Sequence, residues 1–412
     1  MRIRRTVSRR LTQVAAAGAV AAAAGLAGTL ATGPAASASP AAGKAAATTP
    51  TWRTQAPPEP AGTIDQSFDG VSCSSSSACL AIASNYFPHN DNLGDFAETW
   101  NGSHWTVRTV PNGTGKVYLE AVKCRSARWC VAVGGIQAAI PADGNQVPVA
   151  DRWNGSTWKQ VKPPVPAGTR NSTLDAVACS GTAACTAIGQ FANKSQVPDM
   201  LAERWNGSAW KVQPVPEPSG AGGYLEGVAC PTAHACRAVG YDSKGLLAET
   251  WNGSAWAARP VPLPAGASYP SLNAISCTAA DSCEAVGSYE SDSNLNWLSL
   301  AEVWNGSRWR IQATPAVSGA TSADLDAVSC VSATDCEAGD TVQTKGGSVQ
   351  FGVLEKWNGT KWSVQEKVLP AKDNAVRVTG ISCTAGPVCE AVGFHANRAV
   401  GGHLLALRYS SR

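Results

Sequence analysis

Fourteen cysteines fall into seven pairs with five residues inside each: Cys73 and Cys79, Cys124 and Cys130, Cys179 and Cys185, Cys230 and Cys236, Cys277 and Cys283, Cys330 and Cys336, Cys383 and Cys389. Successive pairs begin 51, 55, 51, 47, 53 and 53 residues apart. A regular period of about fifty residues marks repeated supersecondary units, none of which can bury an apolar face without its neighbours. Such a period suits one four-stranded blade of a circular array. In an oxidising compartment each pair reads as a local disulfide. Zinc is the alternative, but its cysteine ligands usually have about two to four residues between them and need partners that these units lack.

The fourth copy shows the unit best. Apolar runs from Leu225 to Cys230 and from Cys236 to Tyr241 flank the cysteine loop. A third runs from Leu247 to Trp251, and a fourth starts at Trp256 and fades into prolines. They read as four strands, here a to d. Strands c and d meet at Trp-Asn-Gly, present six times, at Trp100, Trp153, Trp205, Trp251, Trp304 and Trp357. Asn-Gly between two apolar runs predicts a type I′ hairpin turn with positive φ at both residues. The flanking tryptophans are expected to pack between blades. The same triplet forms a glycosylation sequon, although a turn repeated in each blade explains it without a glycan. With 40 Gly and 25 Pro beside 44% hydrophobic residues, the chain is rich in turns yet has a core to bury, as an all-β protein does.

The two ends are out of phase and complementary. Residues 51–60 match strand d with no a, b or c before them, and residues 404–409 match strand c, with Tyr409 in the tryptophan position and no strand d after it. The expected fold is therefore an all-β, seven-bladed β-propeller spanning residues 51–412, closed by the N-terminal strand pairing into the C-terminal blade. The unit resembles the secreted bacterial propellers whose blades turn on an Asn-Gly or Asp-box hairpin before a tryptophan, and more distantly the kelch-like repeats. The kelch double glycine and a complete Asp-box are missing, so no catalytic residue carries over from either group. Propellers of this kind include sialidases, oxidases, lectins and adhesion modules, and the resemblance therefore implies a fold and not a function.

Five arginines between Arg2 and Arg10, an apolar run from Val14 to Ala31 and the small residues 36–38 read as a signal peptide over residues 1–38, followed by an Ala/Pro/Thr-rich linker over 39–50. Ser8 to Leu11 hints at twin-arginine export. The expected product is a secreted, extracellular monomer with no stable membrane insertion after cleavage. Removal of the leader leaves 28 basic against 30 acidic groups, a balance of about −2, with no basic footprint for nucleic acid.

In an up-and-down blade the a–b and c–d turns share one face and the b–c and d–a loops the other. The first face holds the repeated cysteine loops and Asn-Gly turns, so variation and any ligand should collect on the second. Four residues before each first cysteine stand Asp69, Glu120, Asp175, Glu226, Asn273, Asp326 and Thr379. Placed at the entrance of the innermost strand, these carboxylates are candidates to hold Ca²⁺ or a hydroxyl-rich ligand, or alternatively to cap the preceding turn. No other cofactor is implied. A second series, Glu98, Asp151, Glu203, Glu249, Glu302 and Glu355, lies two residues before each first tryptophan and suggests a packing role.

Tyr86, Phe87, Phe191, Tyr241, Tyr289, Trp297 and Phe394 lie in or beside the variable loops, where aromatic rings suit sugar stacking. Tyr86, Tyr289 and Trp297 are the aromatic ligand candidates, Trp297 foremost. His89, His395 and His403 with Asp91 are a weaker metal alternative. With all cysteines assigned and no Gly-x-Ser-x-Gly elbow, nucleophilic catalysis finds no support. The expected function is non-enzymatic binding of a polysaccharide, a cell-envelope glycan or another extracellular protein. The alternatives are a glycosidase- or lyase-type hydrolase and a protein–protein interaction module.

Overall fold

The computed structural model describes residues 50–410, apart from 61–64, 86–94, 112–114, 139–145, 170, 193–196, 218–221, 293–295, 345–348, 370–372, 387 and 398–400. Among the described residues the chain forms seven four-stranded antiparallel sheets. Blades 1 to 6 are each continuous in sequence: 66–109, 115–160, 171–213, 223–258, 267–312 and 320–368. In blade 4 the strands are Gly223–Thr232, Ala235–Asp242, Gly245–Trp251 and Trp256–Ala258, so strand d is shorter than its apolar run suggests. The proline-rich segment beyond Ala258 cannot donate regularly to a ladder.

Blade 7 joins the two ends of the chain. Its strands Ala375–Thr384, Val388–Asn397 and Gly401–Ser410 are completed by Thr51–Gln55, with Trp52 opposite Tyr409. The N-terminal strand also bonds both neighbouring blades. Trp52 Nε1 donates to Gln365 Oε1 of blade 6 at 2.6 Å, and Gln55 Oε1 accepts from Trp105 Nε1 of blade 1 at 2.8 Å. The expected closure is therefore present, and the edge of strand c in blade 7 is paired.

All seven cysteine pairs are bonded within their own blade, as expected, and no described cysteine is free. In six of the blades the register places partner directly opposite partner, for example Cys179 opposite Cys185, while in blade 4 the ladder slips between Ala229 and Thr232. In four of the blades a serine immediately before the first cysteine accepts a backbone N–H from the next blade. Ser72 bonds Cys124 at 2.9 Å, Ser276 bonds Cys330 at 3.0 Å, Ser329 bonds Cys383 at 2.9 Å and Ser382 bonds Cys73 at 2.9 Å. The clips thus sit where adjacent blades are stitched together.

The c–d turns differ from the expected type I′ hairpin. Each is a four-residue loop closed by paired tryptophans, Trp100 opposite Trp105 and likewise around the ring, and only its glycine has positive φ, about 100° at Gly102. The asparagine serves through its side chain. Asn252 Oδ1 accepts from Ser254 N, Ser254 Oγ and Ala255 N at 2.8–3.0 Å, and the same trio recurs at the five other copies. An Asx-type cap uses the residue's short amide to satisfy loop N–H groups, so the left-handed conformation passes to glycine alone. It also explains why serine or threonine follows the glycine: its hydroxyl is part of the cap.

As expected, the tryptophans pack between blades. The c-strand Trp153 of blade 2 lies against Leu80, Ile82 and Ala97 of blade 1. Cations from the preceding blade cover several of these rings, with Arg237 at 4.0 Å from the Trp304 centroid and Arg204 at 4.6 Å from that of Trp251. Such contacts add about 0.5–2 kcal/mol each beyond area burial. Nearer the axis, Phe68, Leu119, Leu174, Leu225, Leu272, Leu325 and Val378 form one fully buried apolar position per blade.

Candidate functional site

The residue after each of these apolar anchors is the acidic candidate, and the structure places it inside strand a and not at its entrance. In all seven blades the register slips at that residue, as between Phe68 and Gly70 or between Leu325 and Ala327. Asp69, Glu120, Asp175, Glu226, Asn273, Asp326 and Thr379 are therefore the extra residues of seven β-bulges. A bulge bends a strand and re-aims one side chain. The residue that follows is always Gly or Ala because inner strands meet there nearly backbone to backbone. A Cβ at Gly227 would lie 3.0 Å from Ala274 Cα, and one at Gly380 would lie 3.1 Å from Gly70 Cα.

These ring residues bond mainly to protein groups around the channel. Asp326 receives a two-point contact from Arg377 of blade 7, Nε at 3.0 Å and Nη2 at 2.7 Å, and a third bond from Thr341 Oγ1 at 2.9 Å. Asp175 accepts from Thr173 Oγ1 at 3.3 Å and from Gln190 Nε2 at 3.5 Å. Asn273 donates to Asp324 Oδ1 and to the Leu325 carbonyl, both at 2.9 Å. Thr379 donates to the Phe68 carbonyl at 2.6 Å. The contacts from Asn273, Arg377 and Thr379 all cross from one blade to the next.

Blade 6 breaks the repeat at the residues sequence reasoning passed over. Strand b reads Ala-Val-Gly or Ala-Ile-Gly in blades 2, 3, 4, 5 and 7, but Ala338-Gly339-Asp340 in blade 6. Glycine is required in those five because strand a comes so close. A Cβ at Gly134, Gly240, Gly287 or Gly393 would sit 1.9 Å from a backbone carbonyl oxygen, and one at Gly189 would sit 2.1 Å away. Asp340 occupies this position with zero exposure, accepting from Asp324 N at 2.8 Å and Ser299 Oγ at 3.1 Å. Burial raises its carboxyl to about 7, with Asp324 and Asp326 adding to the rise while the bonds from Ser299 and Asp324 oppose it. Asp326 in turn holds the Arg377 guanidinium protonated. Gly339-Asp340 in place of the Val-Gly or Ile-Gly of those five blades was the visible signal in the sequence.

The second acidic series is wholly buried. Glu98, Asp151, Glu203, Glu249, Glu302 and Glu355 have zero exposure, and each stands opposite a strand-b alanine, as Glu302 does opposite Ala285. Neither carboxyl oxygen of any of the six has a hydrogen-bond partner among the described residues. Desolvation pushes Glu98, Glu203, Glu249 and Glu302 up to about 8, Asp151 to about 7 and Glu355 to about 9. Blade 7 has Leu407 there, opposite Ala391. Burial thus favours the neutral form of these acids and closes them to any ligand on the variable face.

On the variable face, Trp297 begins strand c of blade 5, half-buried, and its backbone N–H donates to Ser322 Oγ of blade 6 at 3.3 Å. Tyr289 is directed into the seam between blades 4 and 5, against the cluster that contains Leu272 and Leu300. Tyr224 and Tyr241 stack across strands a and b of blade 4, 5.1 Å apart. Tyr86, Phe87, His89 and Asp91 lie outside the described residues.

His395 and His403 are cross-strand neighbours 5.5 Å apart, each held by a carboxylate: Asp373 at 2.9 Å and Glu59 at 2.8 Å. No cluster of three metal-ligating side chains with the geometry of a metal site occurs among the described residues. One exposed aromatic that the sequence did not single out, Tyr269 of blade 5, is the only described residue other than glycine with positive φ.

No family model matches the chain, and no curated protein does. Solved structures with similar folds include a GH74 xyloglucanase from Xanthomonas campestris, 12% identical, TM-score 0.49, covering 86% of this chain and 55% of that one. An ulvan lyase of polysaccharide lyase family 25 gives 9% identity, TM-score 0.49 and coverage of 83% and 94%. A protein from Arthrobotrys oligospora, AofleA, gives 14% identity, TM-score 0.41 and coverage of 71% and 84%. The chain thus spans little more than half of the xyloglucanase. At these identities the likeness concerns the ring architecture alone.

Proposed function

We propose that the mature chain, residues 39–412, is an exported, non-enzymatic recognition protein that binds a polysaccharide or cell-envelope glycan through its variable face. The division between the two faces carries this reading. On one face seven disulfide loops and six asparagine-capped turns satisfy their own hydrogen bonds in nearly identical copies. Loop length and aromatic content vary on the other, the usual placement of a binding surface on a rigid scaffold. Seven local disulfides suit an extracellular, oxidising environment.

The state of the carboxylates supports binding over hydrolysis. Glycoside hydrolysis needs two free carboxyl groups facing one sugar across a defined gap. Here Asp326 is committed to Arg377 and Thr341, and the strand-c acids are sealed between blades.

A glycan array probed with residues 39–412, with turnover assayed on every hit, tests the proposal. Binding without product release, weakened by Trp297→Ala, is expected. Product release that disappears in Asp69→Asn or Asp175→Asn would replace the reading with an enzymatic one, and silence in both assays would leave an extracellular protein as partner.

A further inference from the structure

Tyr269 combines three properties that rarely coincide. It is 75% exposed, it adopts φ of +47°, and the sequence after it continues with Pro270. A left-handed backbone is costly for any residue with a bulky side chain, so it persists only where the surroundings fix it. They do so here. The register of blade 5 skips from Ser268 opposite Glu290 to Ser271 opposite Ser288, so Tyr269 and Pro270 together face the single residue Tyr289 and strand a carries one extra, bulged residue. On either side the backbone is tied down: Ala267 N donates to the Pro264 carbonyl at 3.2 Å, Asp292 N to the Gly266 carbonyl at 3.0 Å and Ser291 N to the Asn296 carbonyl at 2.9 Å. Ser268 Oγ donates to the Asp292 carboxylate.

The ring thus stands on a rigid base yet makes no hydrogen bond or ring contact among the described residues. Core packing does not account for it, since an inward turn would bury its apolar area. Relative to the bulge at Asn273, Tyr269 lies four residues toward the variable face, whereas Tyr224 lies only two residues from the corresponding Glu226 in blade 4 and is stacked on Tyr241.

The surroundings indicate what the ring would meet. Ser268 stands opposite Glu290, and Glu290 stands opposite Trp297, so Tyr269 and Trp297 occupy the tips of strands a and c of one blade. Two strand spacings separate them by ~10 Å, a length on the scale of a disaccharide. Glu290 between them, and Asp292 two residues further toward the end of strand b, offer acceptors to hydroxyl or amide donors and repel acidic sugars. A rigid aromatic plate beside hydroxyl acceptors matches the apolar face and equatorial hydroxyls of a hexose.

We infer that Tyr269 is the aromatic platform of a glycan subsite at the tip of blade 5, taking a neutral or N-acetylated hexose unit. The inference rests on the proposed recognition function and deepens it. The probes are chitotetraose, cellotetraose and tetragalacturonate, titrated by calorimetry against the mature chain and three variants, Tyr269→Phe, Tyr269→Asn and Tyr269→Gly. Asn and Gly tolerate positive φ, so neither variant should lower the Tm, and Gly should raise it.

At least one of the two uncharged tetrasaccharides should bind and tetragalacturonate should not. Tyr269→Phe should hold affinity within about twofold, while the Asn and Gly variants lose at least tenfold. In the parent, nitration of Tyr269 by tetranitromethane, read by peptide mass, should slow when the bound tetrasaccharide is present. If an uncharged probe binds the Asn and Gly variants as it binds the parent, the Tyr269 subsite falls and the glycan reading survives. If only tetragalacturonate binds, the sugar class assigned here is wrong. If none binds and the array is also silent, both fall together.

Discussion

Replacing Glu302 by leucine should make the propeller's stability less sensitive to alkali by an amount the structure fixes. Glu302 is fully buried, without a partner for either oxygen among the described residues, and its carboxyl is raised from 4.5 to about 8 by desolvation. A folded-state value above the unfolded one means that the folded chain holds this proton more tightly. The stabilisation is complete below about pH 4.5 and drains away as pH climbs toward 8. The slope is ~1.4 kcal/mol per pH unit, hence ~3 kcal/mol between pH 5.5 and 7.5.

For a fold of this size, with an unfolding entropy of roughly 2 cal/mol/K per residue, that is a Tm change of ~3–4 °C. Leucine is the natural replacement, since Leu407 fills the same position in blade 7. Differential scanning calorimetry of parent and Glu302→Leu, without reductant, should show a Tm gap that widens by ~3–4 °C from pH 5.5 to 7.5. Glu302→Gln, which cannot ionise, should give the same pH slope with a less favourable offset. A gap that stays constant across that range in both variants would show that the carboxylate is already ionised and solvated in the folded ring.

Two further outcomes follow from the inter-blade contacts and the turns. Arg377→Met leaves Asp326 half-paired in a nearly buried site and should cost about 3 kcal/mol, measured by urea unfolding, whereas adding Asp326→Leu should restore most of the loss. A double variant as unstable as the single one would mean the pair does not act as a unit. Asn252→Ala removes the acceptor of three short bonds in one turn and should lower stability by about 1–2 kcal/mol while leaving the six other blades intact. Equal stability would show that water replaces the cap without cost.

Most of the architecture was legible because the repeat states it seven times. The cysteine spacing, the paired tryptophans and the complementary ends at Trp52 and Tyr409 each gave an independent mark of the same unit. The misjudged details are those in which a side chain and its backbone exchange roles. Asn-Gly signals a hairpin, yet whether asparagine adopts the left-handed conformation or caps the loop depends on the number of loop residues that its amide can reach. The acidic position was found, but a one-residue slip in the ladder leaves no trace in the hydrophobic pattern, so the bulges at Asp69 through Thr379 could not be foreseen.

The candidate site was legible only in part for a related reason. Residues repeated in every blade or lodged in long loops stand out in a sequence of this kind. Asp340 and Arg377 occur once each, inside strands, and Tyr269 sits in a strand that happens to bulge. What distinguishes them is departure from a position's rule, a glycine site occupied by aspartate or a left-handed site occupied by tyrosine. Only the first could be seen by aligning the copies.

A ring sealed by its own two ends holds one face constant and leaves the other to vary. Hydrogen exchange read by mass spectrometry on residues 39–412 tests the seal most directly. In a closed ring the amides of Thr51–Gln55 that bond inward to Ala406–Ser410 are protected from exchange, while the alternate, outward-facing amides of this outer strand exchange freely. Rapid exchange at every amide of Thr51–Gln55, beside protected strands elsewhere, would leave Gly401–Ser410 as the outer strand, and with it a blade 7 of three strands and no closed ring.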